Sequence, residues 1–134
     1  MHIDGGCHCG YITFEAEVDP AAVGICHCTD CQTLTGSAYR VVVPARSETF
    51  RLLGEPKIYV KTADSGNKRA HAFCPRCGTP IYATAVTNPQ AYGIRVGTTR
   101  QRAQLRPRRQ IWCRSALDWA MNLEALPKIS TQPT

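Results

Sequence analysis

The spacing of the cysteines constrains this chain more than any other feature of its sequence. Seven of its eight cysteines fall into three close groups: CxC at 7–9, CxCxxC at 26–31 and CxxC at 74–77. Thiolates at such spacings can hold one metal ion together. A secreted disulfide scaffold is the alternative, but 134 residues exceed the usual length of such scaffolds. The spacing therefore predicts a fold that is organised around bound metal.

The first and last of these groups are predicted to form one closed structural site. In "CPRCG" the cysteines stand at i and i+3, and Gly78 permits a turn in which backbone amides point at sulfur. A redox pair is the alternative, but such a pair opens a helix, whereas the following "IYATAV" indicates a strand. In "GGCHCG" the cysteines point to one side of an extended segment and His8 points to the other. The predicted ligands of this structural zinc are Cys7, Cys9, Cys74 and Cys77.

The middle group, "CHCTDC", has three cysteines and no fourth one nearby. Cys26 and Cys28 lie on one face of an extended stretch, so His27 between them points away. A turn then brings Cys31 round to the same side. Three protein ligands and one open position are the layout of a catalytic zinc, which we favour here. Two alternatives stay open for Cys113: it closes a second structural site, or it is a small buried hydrophobic residue.

Length and hydropathy predict one cytoplasmic domain. A chain of this length matches a single domain of ~100–150 residues, which we place at 1–126, with a flexible tail over 127–134. No apolar run approaches the ~18–20 residues of a membrane span. The N-terminus lacks the charged and apolar regions of a signal peptide, and free metal-binding thiols agree with a reducing compartment.

The positive charge is concentrated in the last third of the chain. Residues 1–90 hold eight basic and eight acidic side chains, whereas residues 91–134 hold eight basic and two acidic ones, a net charge of +6. Such a segment can attract a polyanion, or it can grip the carboxylate of a small ligand. For any single arginine, a solvated surface position is the simplest interpretation. The basic residues that dominate the segment are Arg95, Arg100, Arg102, Arg106, Arg108, Arg109 and Arg114.

Short runs rich in β-branched and aromatic residues predict mostly strands. The run at 11–18 alternates apolar and polar residues with a period of two, as a half-buried strand does. One helix is predicted over 116–126, after a possible capping box at Ser115 and Asp118, and a shorter helical turn over 29–34. The sequence shows no alternation of strands with long helices, so it does not indicate a parallel α/β fold. Further strands are predicted over 39–45, 49–53, 57–62, 70–74, 80–86, 92–98 and 109–113.

Together these motifs resemble those of a known family. "GGCHCG", "CHCTDCQTLTG", "FCPRCG" and "IWCRSALDW" are similar, in that order, to motifs of the glutathione-dependent formaldehyde-activating enzyme family, also called the centromere protein V/Gfa family. The resemblance spans about residues 4–119. It implies a mainly-β fold of the β-tent type, with short antiparallel strands around two zinc sites. The implied structural ligands are Cys7, Cys9, Cys74 and Cys77, and the implied catalytic ligands are Cys26, Cys28 and Cys31.

The resemblance also implies a reaction. Its substrates are a small-molecule thiol, glutathione, and an aldehyde, formaldehyde, which give S-hydroxymethylglutathione; family members are classed as carbon–sulfur lyases for the reverse reaction. The open site suits this chemistry, since zinc lowers the pKa of a thiol bound to it. Family members usually carry a His where this chain has Gln110. If that His assists the reaction, this chain does without it.

Two non-catalytic functions remain as alternatives. One is a zinc-stabilised module that binds nucleic acid or protein through the basic C-terminal third. Nucleic acid is disfavoured because aromatic residues interleave poorly with the arginines: Tyr92 precedes them and Trp112 is assigned to the core. The other is a chaperone-like partner of a GTPase, which rests on analogy with the β-tent fold alone.

Overall fold

The computed structural model describes residues 1–133 and confirms a mainly-β chain. Among these residues there is one α-helix, α1, which spans Thr29–Thr35, where the sequence predicted a helical turn. Short 3₁₀-helices occupy Pro20–Ala22, Ser47–Thr49, Val96–Thr98, Cys113–Ser115 and Asp118–Met121. The strands are β1 (His2–Gly6), β2 (Thr13–Glu17), β3 (Gly24–Cys26), β4 (Arg40–Arg46), β5 (Arg51–Leu53), β6 (Lys57–Thr62), β7 (Lys68–Phe73), β8 (Pro80–Ala85), β9 (Ala91–Arg95) and β10 (Arg109–Ile111).

The strands form two sheets. The smaller sheet has the order β1-β2-β5 and is antiparallel throughout. The larger sheet has the order β10-β3-β4-β9-β8-β7-β6, in which only the β10–β3 pair is parallel. Isolated bridges pair Gly5 of β1 with Thr99, and Val18, which follows β2, with Ala45 of β4. The parallel pair matters for function, because it lays the basic C-terminal third beside the strand that ends at Cys26.

The hydrophobic core forms where strands of the two sheets meet. In β2 the alternation found in the sequence is realised, with Phe14 and Ala16 buried between exposed neighbours. Val43 and Ile94 are paired across β4 and β9 and are fully buried in the same core. Burial of an aliphatic side chain of this size contributes about 1.5–3 kcal/mol. This shared core therefore holds the two sheets against each other.

Several elements differ from the sequence-based expectation. The predicted C-terminal helix over 116–126 is wrong: this segment contains only the 3₁₀-helix Asp118–Met121. Its apolar side chains Trp119 and Leu123 are more than half exposed, so no packed face stabilises a helix that is too short to persist alone. Strands β1 and β3 were not predicted from the sequence. Both contain glycine, which is uncommon in strands, and both are stabilised by pairing with a neighbouring strand.

The domain over 1–126 and the flexible tail over 127–134 stay predictions. Helices and strands end at residue 121, and residues 127–133 are exposed and hold neither helix nor strand. Residue 134, the last of the expected tail, lies outside the described residues. Among residues 1–133, no helix combines the length and the apolar character needed to cross a membrane.

Candidate metal centres

The four-cysteine cluster, defined as Cys7, Cys9, Cys74 and Cys77, brings together two distant turns of the chain. All four sulfur atoms lie within 4.8 Å of one another. Neighbouring sulfurs are 3.6 Å apart between Cys7 and Cys9 and 3.7 Å apart between Cys9 and Cys74. The first turn connects β1 to β2 in the small sheet, and the second connects β7 to β8 in the large one. This donor set fits one tetrahedrally coordinated ion.

Backbone amides point at the sulfurs of this cluster, as the glycine after each pair predicted. The Ile12 amide donates to Cys7 Sγ at 3.2 Å, and the Arg76 amide donates to Cys74 Sγ at 3.4 Å. Gly78 adopts φ +80°, a left-handed conformation that a side chain would strain. Hydrogen bonds from the side chain and backbone of Thr79 lower the pKa of Cys77 to about 5. The turn is thus built for thiolates.

The three-cysteine cluster, defined as Cys26, Cys28 and Cys31, is local. It lies where β3 ends and α1 begins, and its sulfur atoms are again within 4.8 Å of one another. Cys28 is the N-cap of α1, and its sulfur accepts the Cys31 amide at 3.3 Å. The cap replaces the usual Ser or Asp oxygen and at the same time turns Cys31 towards the other two thiols. A residue pattern of six positions is therefore enough to assemble this cluster.

Charged side chains surround the three-cysteine cluster, and the pKa values of two of its thiols shift in opposite directions. Burial raises the pKa of Cys26 to about 12, and the neighbouring thiols add to this rise. Burial also opposes ionisation of Cys31, but the Arg40 guanidinium and the hydrogen bonds with the other two thiols of the cluster together lower its pKa. At the helix start, Asp30 forms an ion pair of 2.8 Å with Lys61. Positive charge from this side of the sheet thus favours thiolate at Cys31.

His27 faces away from the cluster, in agreement with its interpretation as a non-ligand. It is fully buried, and its Nε2 lies 2.8 Å from Oε1 of Gln110. Gln110 on β10 thus packs directly behind the metal-binding segment. The Gln32 side chain fastens the same region by donating to the backbone oxygens of His27 and Ser115 at 2.8 and 3.0 Å.

Cys113 belongs to neither cluster. Among residues 1–133, the sulfurs grouped with Cys26 are those of Cys28 and Cys31 only. Cys113 is exposed at the start of a 3₁₀-helix, so its interpretation as a small buried hydrophobic residue is wrong. The assignment of Trp112 to the core is wrong as well, since half of its side chain surface is exposed.

Comparison with known proteins agrees with the motifs. The sequence model of the family described as glutathione-dependent formaldehyde-activating enzyme matches residues 2–115. This chain belongs to that family. The fold is also similar to a crystal structure of a Rhodobacter sphaeroides protein, with a TM-score of 0.61 and 23% sequence identity. The alignment covers 80% of this chain and 98% of that one, and at this identity it supports the fold alone.

Within this family member, two site residues escaped the sequence analysis. Arg40 and Arg95 are 5% and 9% exposed, although a solvated surface was the expectation for Arg95 as a member of the basic segment. Both stand in otherwise apolar strands, "YRVVVPA" and "YGIRVGT". An isolated arginine in such a strand was the available signal. In the sequence Arg95 also belongs to the basic C-terminal segment, which obscures the apolar strand around it.

Proposed function

We propose that this protein is a cytoplasmic zinc enzyme that joins a thiol, glutathione or a related one, to formaldehyde or another small aldehyde. In the reverse direction it acts as a carbon–sulfur lyase. The observation that carries the proposal is the three-cysteine cluster. Three sulfurs converge there, and among residues 1–133 no fourth Cys, His, Asp or Glu joins them. Such a donor set leaves a zinc ion one position for substrate.

The two clusters are proposed to have separate roles within one domain over 1–126. Cys7, Cys9, Cys74 and Cys77 provide a complete ligand set and serve the fold. Cys26, Cys28 and Cys31 provide an incomplete set and serve the reaction. Zinc, when bound there, supplies positive charge that lowers the pKa of a neighbouring substrate thiol.

The reaction needs little beyond this. The substrate sulfur forms a bond to the carbonyl carbon, the C=O π bond breaks, and the oxygen takes up the proton that the thiol released. No oxidant or reductant is required. The protein therefore has to hold two small molecules at the right distance and orientation, which is a large part of any bimolecular catalysis.

The residues around the cluster have the properties that this task needs. Arg40 lies beside Cys31 and favours negative charge at that end of the cluster. The contact between His27 and Gln110 fixes the segment from behind. Gln110 accordingly takes a supporting place at the position where family members usually carry His, and the proposed reaction does not require it to move a proton.

A second candidate function uses the basic C-terminal third as a binding surface for nucleic acid or protein. One observation favours it: Trp112 is half exposed and Arg114 lies 4.8 Å from its ring centroid. Exposed aromatic residues among arginines suit stacking on bases. A gel-shift titration with single-stranded nucleic acid tests it, and binding that weakens steeply with salt is the supporting outcome.

The principal test follows thiol binding spectroscopically. In cobalt-substituted protein, glutathione should change the visible absorption of one of two bound ions, because a sulfur enters its coordination shell. Cys31→Ser should remove that ion and the response. Cys113→Ser makes the same atomic change outside both clusters and should leave both. A spectrum of the wild-type protein that does not respond to millimolar glutathione contradicts the proposal.

A further inference from the structure

A cavity lies between helix α1, which carries the last cysteine of the three-cysteine cluster, and the turn of the four-cysteine cluster. It encloses about 360 Å³, within the range of ~300–1,000 Å³ that small-molecule sites occupy. Leu34 of α1 and Tyr59 of β6 lie at its exposed side and mark the mouth, together with the exposed Gly78 from the turn of the four-cysteine cluster. We call it the arginine cavity, because Arg40 and Arg95 line its buried part.

Strand pairing explains why these two arginines converge. Arg40 stands opposite Cys26 in the β3–β4 pair, and Arg95 stands opposite Val42 in the β4–β9 pair. Residues directly opposite each other share a face, and so do residues two apart along a strand. Arg40, Val42 and Arg95 therefore point to one side of the sheet. On this side Arg40 reaches both the cavity and the three-cysteine cluster.

The arginines carry charge that no carboxylate of the described residues balances. Among residues 1–133, neither Arg40 nor Arg95 forms an ion pair with Asp or Glu. The Nε atoms of both are buried without a hydrogen-bond partner. The polar contacts of Arg95 are a 3.3 Å contact with Nδ1 of His71 and a 3.4 Å hydrogen bond to the Gly93 carbonyl. Buried charge of this kind is costly unless an anion compensates it.

The cysteines compensate only part of this charge. Three thiolates around one divalent ion carry a single net negative charge, which balances one guanidinium. Lys61 is already paired with Asp30, so it neither adds to the excess nor relieves it. One guanidinium remains without a counter-charge. Arg95 is the one farther from the cysteines, since Arg40 is the residue that stands opposite Cys26.

We propose that the arginine cavity binds a carboxylate group carried by the molecule that reacts at the three-cysteine cluster. The planar guanidinium fork matches a carboxylate with two parallel hydrogen bonds. The aromatic side chains of Tyr59, Phe73 and Tyr82 line the same cavity and provide apolar surface for the rest of the ligand. The inference rests on the proposed function and deepens it, because it makes an acidic substrate the preferred one. The carboxylate can belong to the thiol or to the aldehyde.

Two matched pairs of probes distinguish these sources. Thioglycolate and 2-mercaptoethanol are small thiols that differ in a carboxylate against a hydroxymethyl group. Glyoxylate and glycolaldehyde are the corresponding aldehydes. Calorimetry on the metal-loaded protein should give an affinity for at least one acidic member that is about tenfold or more above that of its neutral counterpart. The pair that shows the difference identifies the molecule that carries the carboxylate.

Variants tie the preference to the cavity. Arg95→Gln should lower the affinity for the acidic probe about tenfold or more and change that for the neutral probe less than twofold. Arg95→Lys keeps the positive charge but lacks the guanidinium fork, so its affinity for the acidic probe should lie between those of the wild type and Arg95→Gln. This variant preserves the test if Arg95→Gln fails to fold. Arg51→Gln removes an equal charge from an exposed position in the small sheet and should have no effect.

The opposite results are equally clear. Equal affinities within both pairs of probes overturn the inference. So does an Arg95→Gln variant that weakens acidic and neutral probes alike, because the arginines would then serve only as counter-charges to the cysteines. If no thiol binds but glyoxylate still binds through Arg95, the proposed function fails and the carboxylate site stands. If both thiols bind equally and glyoxylate does not bind, the proposed function stands and the carboxylate site fails.

Discussion

The four-cysteine cluster and the three-cysteine cluster differ in how much of the chain each connects. The first joins residues that are 65 positions apart, Cys9 and Cys74, and it fastens the small sheet to the large one. Cys7 and Cys74 are themselves part of the hydrophobic core. The second spans six positions at the start of one short helix. A metal in the first site therefore restrains the whole fold, whereas a metal in the second restrains one turn.

The surroundings of the two clusters differ in the same sense. Backbone amides face the sulfurs of the four-cysteine cluster, and the nearby Arg76 guanidinium is stacked on the Tyr11 ring. The three-cysteine cluster instead borders Arg40 and a cavity that opens to solvent. A closed ligand set faced by backbone amides suits stability, and an open set beside buried arginine charge suits a substrate. Two motifs of similar composition thus have different neighbours, as the proposed division of roles requires.

The largest effect should come from Cys74→Ser. The change removes a buried ligand from a site whose metal can contribute ~10–16 kcal/mol of apparent binding energy, against a total stability of ~5–15 kcal/mol. We expect loss of the folded state at 25 °C, measured by circular dichroism. Cys113→Ser is the matched control and should shift the free energy of unfolding by less than about 0.5 kcal/mol. A folded Cys74→Ser protein with unchanged melting temperature would remove the contrast between the clusters.

Chelation should separate the two sites without mutation. The three-cysteine cluster has fewer ligands and lies beside an open cavity, so EDTA should remove its metal first while the strands persist. The measurement is zinc release, followed with a chromogenic indicator, in parallel with far-ultraviolet circular dichroism. Two phases are expected, with unfolding confined to the second. Simultaneous release of both ions together with unfolding contradicts the separation of roles.

A smaller effect is expected where the three-cysteine segment meets β10. Gln110→Ala leaves Nε2 of the fully buried His27 without its 2.8 Å partner. An unsatisfied buried polar group costs about 1–3 kcal/mol, and urea denaturation should give a loss in this range. Gln104→Ala, at an exposed position, is the control. Unchanged stability in Gln110→Ala would mean that the contact does not brace the cluster.

Much of this architecture could be predicted from residue patterns that act locally. The strand β6 coincides with the predicted run over 57–62. In β2, the alternation of apolar and polar residues predicts which face of that strand is buried. The C-terminal segment shows where local pattern fails. Its apolar spacing is helical, but Trp119 finds no surface to pack on, and without tertiary packing so short a helix does not form.

The sequence by itself determined the three close cysteine groups, since CxC, CxCxxC and CxxC spacings set which thiols of one group can share an ion. It also determined the mainly-β character and the family. Only the tertiary structure decided that Cys113 stays apart from the three-cysteine cluster and that Arg40 and Arg95 converge on one cavity. The reason is physical: ligand spacing is a property of a few consecutive residues. The environment of a charge depends instead on strand register across the sheet, which no short stretch of sequence contains.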